Sequence, residues 1–181
     1  MGKIVVQNTE SDKKRDAVVV TTNDDTYSII EDTAPGDSSK KMAIFGSRSL
    51  FDCRVGVVIN EVLNEYRSIE TIVTTQEPKG VCEIAQATAK ANNLILELHF
   101  LNFRRAKGAF EHRSKNVIAA SDYVLIIHDG VSAGTANELE YTRRSKKPFR
   151  YVVMPASSVY VDRDEGVNFL KTTKHLQNGT E

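Results

Sequence analysis

A segment near the middle of the chain, Asp122 to Glu138, combines residue types that could hold a phosphate group next to a carboxylate. It opens with an unbroken apolar run, Tyr123 to Ile127, and then passes through a loop of small and hydroxyl residues. An amphipathic segment follows and starts near Thr135. A strand, a short loop and a helix start in that order direct backbone N–H groups and a positive dipole end towards one point. The segment therefore predicts a phosphate-binding turn with Glu138 just behind it.

A second turn of the same kind follows an earlier apolar strand and includes an arginine. Backbone N–H groups, hydroxyl groups and a guanidinium are the donors that phosphate oxygens need. The candidate ligand-binding residues of the two turns are Gly46, Ser47, Arg48, Asp129, Gly130, Ser132, Gly134 and Thr135. Asp129 is expected to accept a hydrogen bond from a ribose hydroxyl. Capping of the loop is the alternative for Asp129, Ser132 and Thr135.

The elements that must position these turns alternate between strands and helices from Lys41 onward. Apolar runs predict about five core strands, at residues 42–45, 69–75, 94–98, 123–127 and 149–154. Apolar residues between them recur at helical spacing, most clearly from Val55 to Tyr66. The pattern predicts an α/β fold with an open parallel sheet and helices on both faces. If the first and fourth core strands are neighbours, both turns share one crevice at the carboxyl ends of the strands.

The first forty residues differ from the rest and predict a small β-rich extension with a linker. Three short runs rich in β-branched residues are separated by polar turns, as in a hairpin or a three-stranded flap. The runs are Lys3 to Gln7, Ala17 to Thr22 and Thr26 to Ile30. The extension, residues 1–40, could cover a sheet edge, pair with another subunit or remain partly mobile. Residues 41–181 are expected to form the ligand-binding domain.

Composition narrows the classes of function. The chain has 181 residues with 24 basic and 24 acidic side chains, so it has no overall positive field for nonspecific nucleic-acid binding. It has neither an apolar run of membrane-spanning length nor a signal peptide, which predicts a soluble, cytoplasmic protein without a membrane partner. Cys53 and Cys82 are expected to be reduced. They show no CxxC spacing and the four histidines are scattered, so neither a metal site nor a cofactor is predicted.

Three segments together resemble the SLOG superfamily, which unites the DprA/Smf proteins, the LOG cytokinin-activating enzymes and the YspA/YpsA-like proteins. The segments are GSRS at 46–49, KGVCEIAQATA at 79–89 and SDYVLIIHDGVSAGT at 121–135. The resemblance is closest to the YspA-like branch and covers Met42 to Met154. It implies a Rossmann-like fold, a nucleotide or nucleotide-derived ligand at the strand ends, and a homodimer.

The resemblance also implies two catalytic residues. In the LOG enzymes an arginine and the glutamate of a GTxxE segment serve hydrolysis of the N-glycosidic bond of a nucleoside 5′-monophosphate. Arg113 has the spacing of that arginine, nine residues before Asp122, and Gly134-Thr135-x-x-Glu138 matches GTxxE. Glu138 would stabilise the positive charge that builds on the ribose or position water, and Arg113 would clamp the phosphate or the ribose.

The chain departs from the family pattern in two of the loops. Asp129-Gly130-Val131-Ser132 stands where the LOG enzymes have PGG, and Thr74-Thr75-Gln76-Glu77-Pro78 follows the second strand in place of a double glycine. Four functions stay open at this point. The first two are a LOG-like phosphoribohydrolase and a non-catalytic nucleotide sensor. A nucleoside deoxyribosyltransferase-like enzyme is the third, because SAGTANELEY at 132–141 resembles that family's DxGTxxExG stretch. The fourth is a DprA-like single-stranded DNA binder, suggested by Phe100, Phe103 and Phe110.

Overall fold

The computed structural model describes residues 18–22, 25–105 and 107–156, which form one sheet and four α-helices. The strands are β1 Val18–Thr22, β2 Asp25–Asp32, β3 Lys41–Gly46, β4 Thr71–Thr75, β5 Ile95–His99, β6 Tyr123–His128 and β7 Phe149–Val153. The helices are α1 Cys53–Glu65, α2 Val81–Ala91, α3 Ala109–Ala119 and α4 Ala133–Ser145. None of the helices in these ranges has the length and apolar character needed to cross a membrane.

The seven strands form a mixed sheet in the order β1-β2-β7-β6-β3-β4-β5. Strands β3 to β7 run parallel, and a helix connects each of them to the next. The winding reverses between β3 and β6, which are neighbours with Gly46 opposite Ile127. The turns that follow these two strands therefore lie side by side at the carboxyl edge of the sheet, as the sequence predicts. That edge, at a reversal of the winding, is where open α/β sheets bind ligands.

The five core strands are parallel, as predicted, but the sheet as a whole is mixed because the N-terminal hairpin joins it. Strand β2 pairs antiparallel with β7, and β1 pairs antiparallel with β2, so the hairpin belongs to the main sheet. An uncovered β7 would present a row of unpaired N–H and C=O groups. Of the roles expected for the extension, covering a sheet edge is the one that the structure shows. The strand expected at Lys3 to Gln7 lies outside the described residues.

Helices cover both faces of the sheet, as predicted. Alternate residues of a strand point to opposite faces, so Met42 and Ile44 pack with α1 and α2, while Ala43 and Phe45 belong to the core formed with α3 and α4. Strand β6 is buried along its whole length, which explains its unbroken apolar run. The two layers of helices hold the strands in place, and the site lies at their common edge.

Candidate functional site

A cavity of about 440 Å³ lies at the carboxyl edge of the sheet, where the turns after β3, β4 and β6 meet α3 and α4. Seven of the ten sequence-predicted site residues line it. They are Gly46, Arg48, Arg113, Ser132, Gly134, Thr135 and Glu138. The other three, Ser47, Asp129 and Gly130, are not among the lining residues. The structure thus brings the two predicted turns together around one volume.

Ser47 joins the two turns behind the cavity. Its backbone N–H donates to the carbonyl of Ile127 at 3.0 Å, and its hydroxyl accepts from the backbone N–H of Asp129 at 3.0 Å. The same hydroxyl lies 3.3 Å from that of Thr135. Ser47 is buried and holds the two turns together, and it is not among the residues that line the cavity.

Two glycines allow the turn after β3 to pack tightly against the start of α2. A Cβ atom at Gly46 would lie 2.4 Å from the carbonyl oxygen of Ile127 and 2.5 Å from Cγ2 of Val81. Gly80 has a φ of +70°, and a Cβ there would lie 2.5 Å from the Cα atom of Arg48. Larger residues would force the backbone of the site apart. The glycines therefore fix where Arg48 leaves the sheet.

Asp129 organises the loop after β6 and is not among the residues that line the cavity. One carboxylate oxygen accepts from the backbone N–H groups of Val131 and Ser132, at 3.0 and 2.8 Å. The other accepts from the hydroxyls of Ser49 and Ser132, at 2.6 and 2.7 Å. Burial alone would raise the pKa of this carboxyl, but the four donated hydrogen bonds outweigh it and hold the pKa well below its usual range.

The structure shows Asp129 capping its own loop, which is the alternative that the sequence left open for this residue. Gly130 completes that loop with a φ of +85°, a conformation that favours glycine, and it lies outside the cavity. The sequence DGVS did contain the signal, since an aspartate that accepts from the next two or three backbone N–H groups is a common turn device.

The N-terminus of α4 opens into the cavity. The hydroxyl of Ser132 donates to Asp129 and does not cap the helix, whose first bond runs from the N–H of Ala136 to the carbonyl of Ser132. The N–H groups of the preceding first-turn residues have no intrahelical acceptor. A Cβ atom at Gly134 would meet no protein atom within 4 Å, so packing does not require glycine there. This end of α4 has the geometry of an anion site.

Glu77 bridges two arginines that line the cavity, and its role was not predicted from the sequence. One carboxylate oxygen lies 2.7 Å from an amino nitrogen of Arg113, and the other lies 2.9 Å from an amino nitrogen of Arg48. Arg113 is almost completely buried, whereas Arg48 is exposed at the cavity mouth. The only sequence signal for Glu77 was its position just after a core strand, in the TTQEP segment.

Arg113 has donor capacity that the described residues do not use. Its amino group donates to Glu77, and its guanidinium carbon lies 5.4 Å from the ring centre of Phe110. The Nε atom is buried and has no hydrogen-bond partner among the described residues. Phe110 is exposed and lines the cavity together with Tyr141. A cation and two aromatic rings therefore lie on one side of the open volume.

Glu138 lies between the α4 N-terminus and the arginines. Ser114 donates a hydrogen bond to its carboxyl group at 3.3 Å. Burial raises the pKa of Glu138 to about 8; the Ser114 hydrogen bond and the charges of Arg113 and Arg48 oppose this rise, and the charge of Glu77 adds to it. At neutral pH the carboxyl group is therefore mainly protonated and can donate a proton. A glutamate with this property in a cavity is a candidate general acid.

The remaining titratable groups of the cavity do not suggest another chemistry. Burial raises the pKa of the Cys82 thiol, although the Thr75 hydroxyl donates to its sulfur at 3.4 Å, so the thiol is a poor nucleophile. Across the described ranges, no group of three or more His, Cys, Asp or Glu side chains could hold a metal ion. The cavity therefore combines a helix terminus with two arginines, Lys79 and three glutamates, the third of which is Glu111.

Comparison of the chain with protein-family models, with curated proteins and with solved structures finds no match. A functional assignment therefore depends on the chemistry of this cavity.

Proposed function

We propose that the cavity binds a nucleoside 5′-monophosphate or a related ribose phosphate, and that Glu138 acts in hydrolysis of its N-glycosidic bond. One observation carries the proposal: a mainly protonated glutamate shares a cavity with an open helix N-terminus and two arginines. The helix terminus suits a phosphate, the protonated acid suits a leaving base, and the arginines suit the polar groups between them.

The ligand would lie along the first turn of α4. Its phosphate would accept hydrogen bonds from the N–H groups near Gly134 and Thr135. Glu138 comes one helical turn later, about 5.4 Å along the axis, where the sugar of a 5′-monophosphate would follow. The base would then reach the aromatic side, beside Phe110 and Tyr141.

Glu138 would exchange protons with the substrate twice. As the bond between the base and the anomeric carbon breaks, its electron pair moves to the base, and the base takes the proton of Glu138. The new carboxylate lies beside the positive charge that builds on the ribose, and Arg48 and Arg113 stabilise that carboxylate. Water then adds to the anomeric carbon and gives a proton to Glu138, which restores the acid.

This assignment agrees with a Rossmann-like member of the SLOG superfamily. The strand order, with its reversal between β3 and β6, and the meeting of the GSRS and GTxxE segments in one cavity support that membership. A nucleotide substrate also fits the expected cytoplasmic location. The homodimer implied by the resemblance stays a prediction, which light scattering of the purified protein checks.

The test is release of a free base from a panel of nucleoside 5′-monophosphates, followed by chromatography. We expect the wild type to release base from at least one of them. Glu138→Gln should lower the rate at least about 100-fold while binding, measured by calorimetry, is retained. Glu140→Gln is the matched control, because Glu140 lies on the same helix, is exposed and pairs with Arg143 at 2.8 Å.

Two outcomes would contradict the hydrolase proposal. One is an E138Q variant that releases base at the wild-type rate. The other is a wild type that releases none from the whole panel. If nucleotides still raise the melting temperature in that second case, the non-catalytic sensor is the correct function.

The transferase alternative makes a different demand on Glu138. A nucleophilic glutamate must be ionised before it attacks, whereas burial keeps Glu138 mainly protonated at neutral pH. Hydrolysis is therefore the better supported reaction. Exchange of a free base with that of a deoxynucleoside, observed with the wild type and lost in E138Q, would reverse this preference.

The single-stranded DNA alternative is supported by a surface next to the cavity. Phe100, Phe103 and Phe110 are 61%, 86% and 57% exposed, and the loop between them carries exposed basic residues. Exposed rings and cations can stack bases and bind phosphates. Salt-sensitive binding of an oligonucleotide that Phe103→Ala weakens would favour this function; the absence of binding at low salt would exclude it.

A further inference from the structure

Glu77 lies where a carboxylate can meet the sugar of the proposed ligand. It follows β4, which pairs with β3, and it lines the same cavity as Glu138. In doubly wound sheets that bind dinucleotides, an acidic residue in the corresponding region accepts hydrogen bonds from ribose hydroxyls. The position of Glu77 thus raises the question of which ligand group it meets.

The charges around Glu77 exclude the phosphate from this wall. Both guanidinium groups that flank it are already paired with its carboxylate, at 2.7 and 2.9 Å. A phosphate placed on Arg113 would lie next to that carboxylate and would be repelled by it. The N-terminus of α4 instead offers a phosphate the backbone N–H groups of its first turn, which have no intrahelical acceptor. The group that meets Glu77 is therefore neutral and donates hydrogen bonds.

The Glu77 loop is held in place before a ligand arrives. The amide nitrogen of Gln86 donates to the backbone carbonyls of Thr75 and Glu77, at 3.1 and 3.2 Å. The two ion pairs fix the carboxylate itself. Each of its oxygens retains acceptor capacity beyond the single contact to an arginine. A pair of neighbouring hydroxyls matches two carboxylate oxygens in the same way that an arginine fork does.

We propose that Glu77 accepts hydrogen bonds from the 2′- and 3′-hydroxyls of the ribose and selects ribonucleotides over 2′-deoxyribonucleotides. The inference rests on the proposed function and names its substrate class. A ligand without the 2′-hydroxyl leaves a largely buried acceptor without its donor, which is how binding sites reject such analogues. The arginines still satisfy part of the carboxylate, so the preference is about 10-fold to 100-fold in affinity.

The experiment measures binding of the four common ribonucleoside 5′-monophosphates and their 2′-deoxy counterparts by calorimetry. We expect the wild type to prefer the ribose member of the pair that binds best. Glu77→Gln should reduce that preference to about threefold or less, because an amide offers one acceptor and one repelling donor group. Glu70→Gln is the control, since Glu70 precedes the same strand and pairs with Lys40 on the surface.

A second variant at the same position controls for a loss of folding in E77Q. Glu77→Asp keeps the charge that pairs with the arginines and withdraws the carboxylate by one methylene group. It should fold, as judged by its melting transition, and show a preference between those of the wild type and E77Q. A purely structural Glu77 would instead make both variants weaken the ribose and deoxyribose series by the same factor.

The two proposals fail in different ways. If neither series binds to the wild type, the proposed function is wrong and the role of Glu77 is excluded with it. If both series bind equally well, the site still takes nucleotides, and only the assignment of Glu77 is overturned. Equal weakening of both series in E77Q overturns that assignment as well.

Discussion

Two buried arginines lie at opposite edges of the sheet, and their surroundings differ in the number of paired carboxylates and in the open volume beside them. Arg113, at the carboxyl edge, is paired with Glu77. Arg150, near the start of β7, is paired with Asp32 at 2.9 Å and with Glu65 at 2.8 Å. Both side chains are less than a tenth exposed, and neither Nε atom has a hydrogen-bond partner among the described residues.

The more important difference is the open volume beside the guanidinium group, because Arg113 lines the cavity and Arg150 does not. Arg150 connects β2, α1 and β7, three elements of the fold, through its two carboxylates and a contact of 3.4 Å to the hydroxyl of Tyr66. Arg113 instead lines a cavity that also contains a mainly protonated glutamate. An unsatisfied nitrogen is therefore not a sign of a binding site by itself. A cavity that contains a carboxyl group with a raised pKa is a stronger indication of a binding site.

The comparison predicts its largest effect on stability. Arg150→Met should lower the free energy of unfolding by about 3–5 kcal/mol, because it leaves the two carboxylates without the buried cation that holds them. Arg113→Met should cost about 1–2 kcal/mol, since Glu77 keeps its contact with Arg48 and can be reached by water from the cavity. Urea denaturation of both variants at pH 7 measures the difference.

Lys40→Met provides the baseline for removing a surface cation, because the pair of Lys40 with Glu70 is exposed and should contribute less than about 1 kcal/mol. Nucleotide binding should be lost in R113M and retained in R150M under conditions where both are folded. Equal losses of stability in the two arginine variants would show that neither water from the cavity nor Arg48 stabilises the Glu77 carboxylate when Arg113 is removed.

The second prediction concerns pH. Burial raises the pKa of Glu138 from its ordinary value of 4.5 to about 8 in the folded protein. Between these values only the unfolded chain releases the proton, so the wild type loses stability as pH rises, and the loss is complete above about pH 8. Glu138→Gln cannot ionise and should be more stable than the wild type by about 3 kcal/mol at pH 7.

Thermal or urea unfolding without ligand at pH 4, 7 and 9 tests this prediction. The difference between E138Q and the wild type should be small at pH 4, large at pH 7 and constant above pH 8. The exposed control Glu140→Gln should show no such trend. A difference between E138Q and wild type that does not depend on pH would mean that Glu138 is ionised in the cavity, and the general-acid role would be wrong.

The fold could be predicted from the sequence wherever the signal was local. The apolar run of β6 and the helical stripe from Val55 to Tyr66 are set by neighbouring residues and were located correctly. The pairing of β2 with β7 was not, because it joins residues more than 100 positions apart, such as Asp32 and Arg150. The sequence of an edge strand does not reveal which distant strand will pair with it.

The residues of the site also fall into those that local sequence signals identify and those that they do not. The GTxxE and GSRS segments pointed to the two turns, since each is a local strand–loop–helix signal. Glu77 was missed because its partners are distant, with Arg113 lying 36 positions later. Asp129 is a different case, because three of its four hydrogen bonds come from Val131 and Ser132 in its own loop, and the sequence alone leaves a loop cap and a ligand contact equally open. Long-range side-chain pairing therefore accounts for Glu77 and for only the Ser49 contact of Asp129.

The smallest expected effect on stability is that of Gly134→Ala, and the same change at Gly46 provides the contrast. Gly134→Ala places a Cβ where no protein atom lies within 4 Å, so stability should be unchanged or about 0.5 kcal/mol higher, because alanine favours the helix. The same change at Gly46 would bring the Cβ to 2.4 Å from a carbonyl oxygen and should destabilise the fold.

If the N-terminus of α4 is the phosphate site, the methyl group of G134A stands in the space that the ligand needs. Binding of inorganic phosphate, measured by calorimetry, should then weaken about tenfold although the protein is as stable as before. Unchanged phosphate affinity in G134A would move the anion away from α4 and towards the arginines. The ligand would then have to break the ion pair between Glu77 and Arg113. Without a bound ligand, Arg113 would serve mainly to hold a carboxylate, as Arg150 does with Asp32 and Glu65.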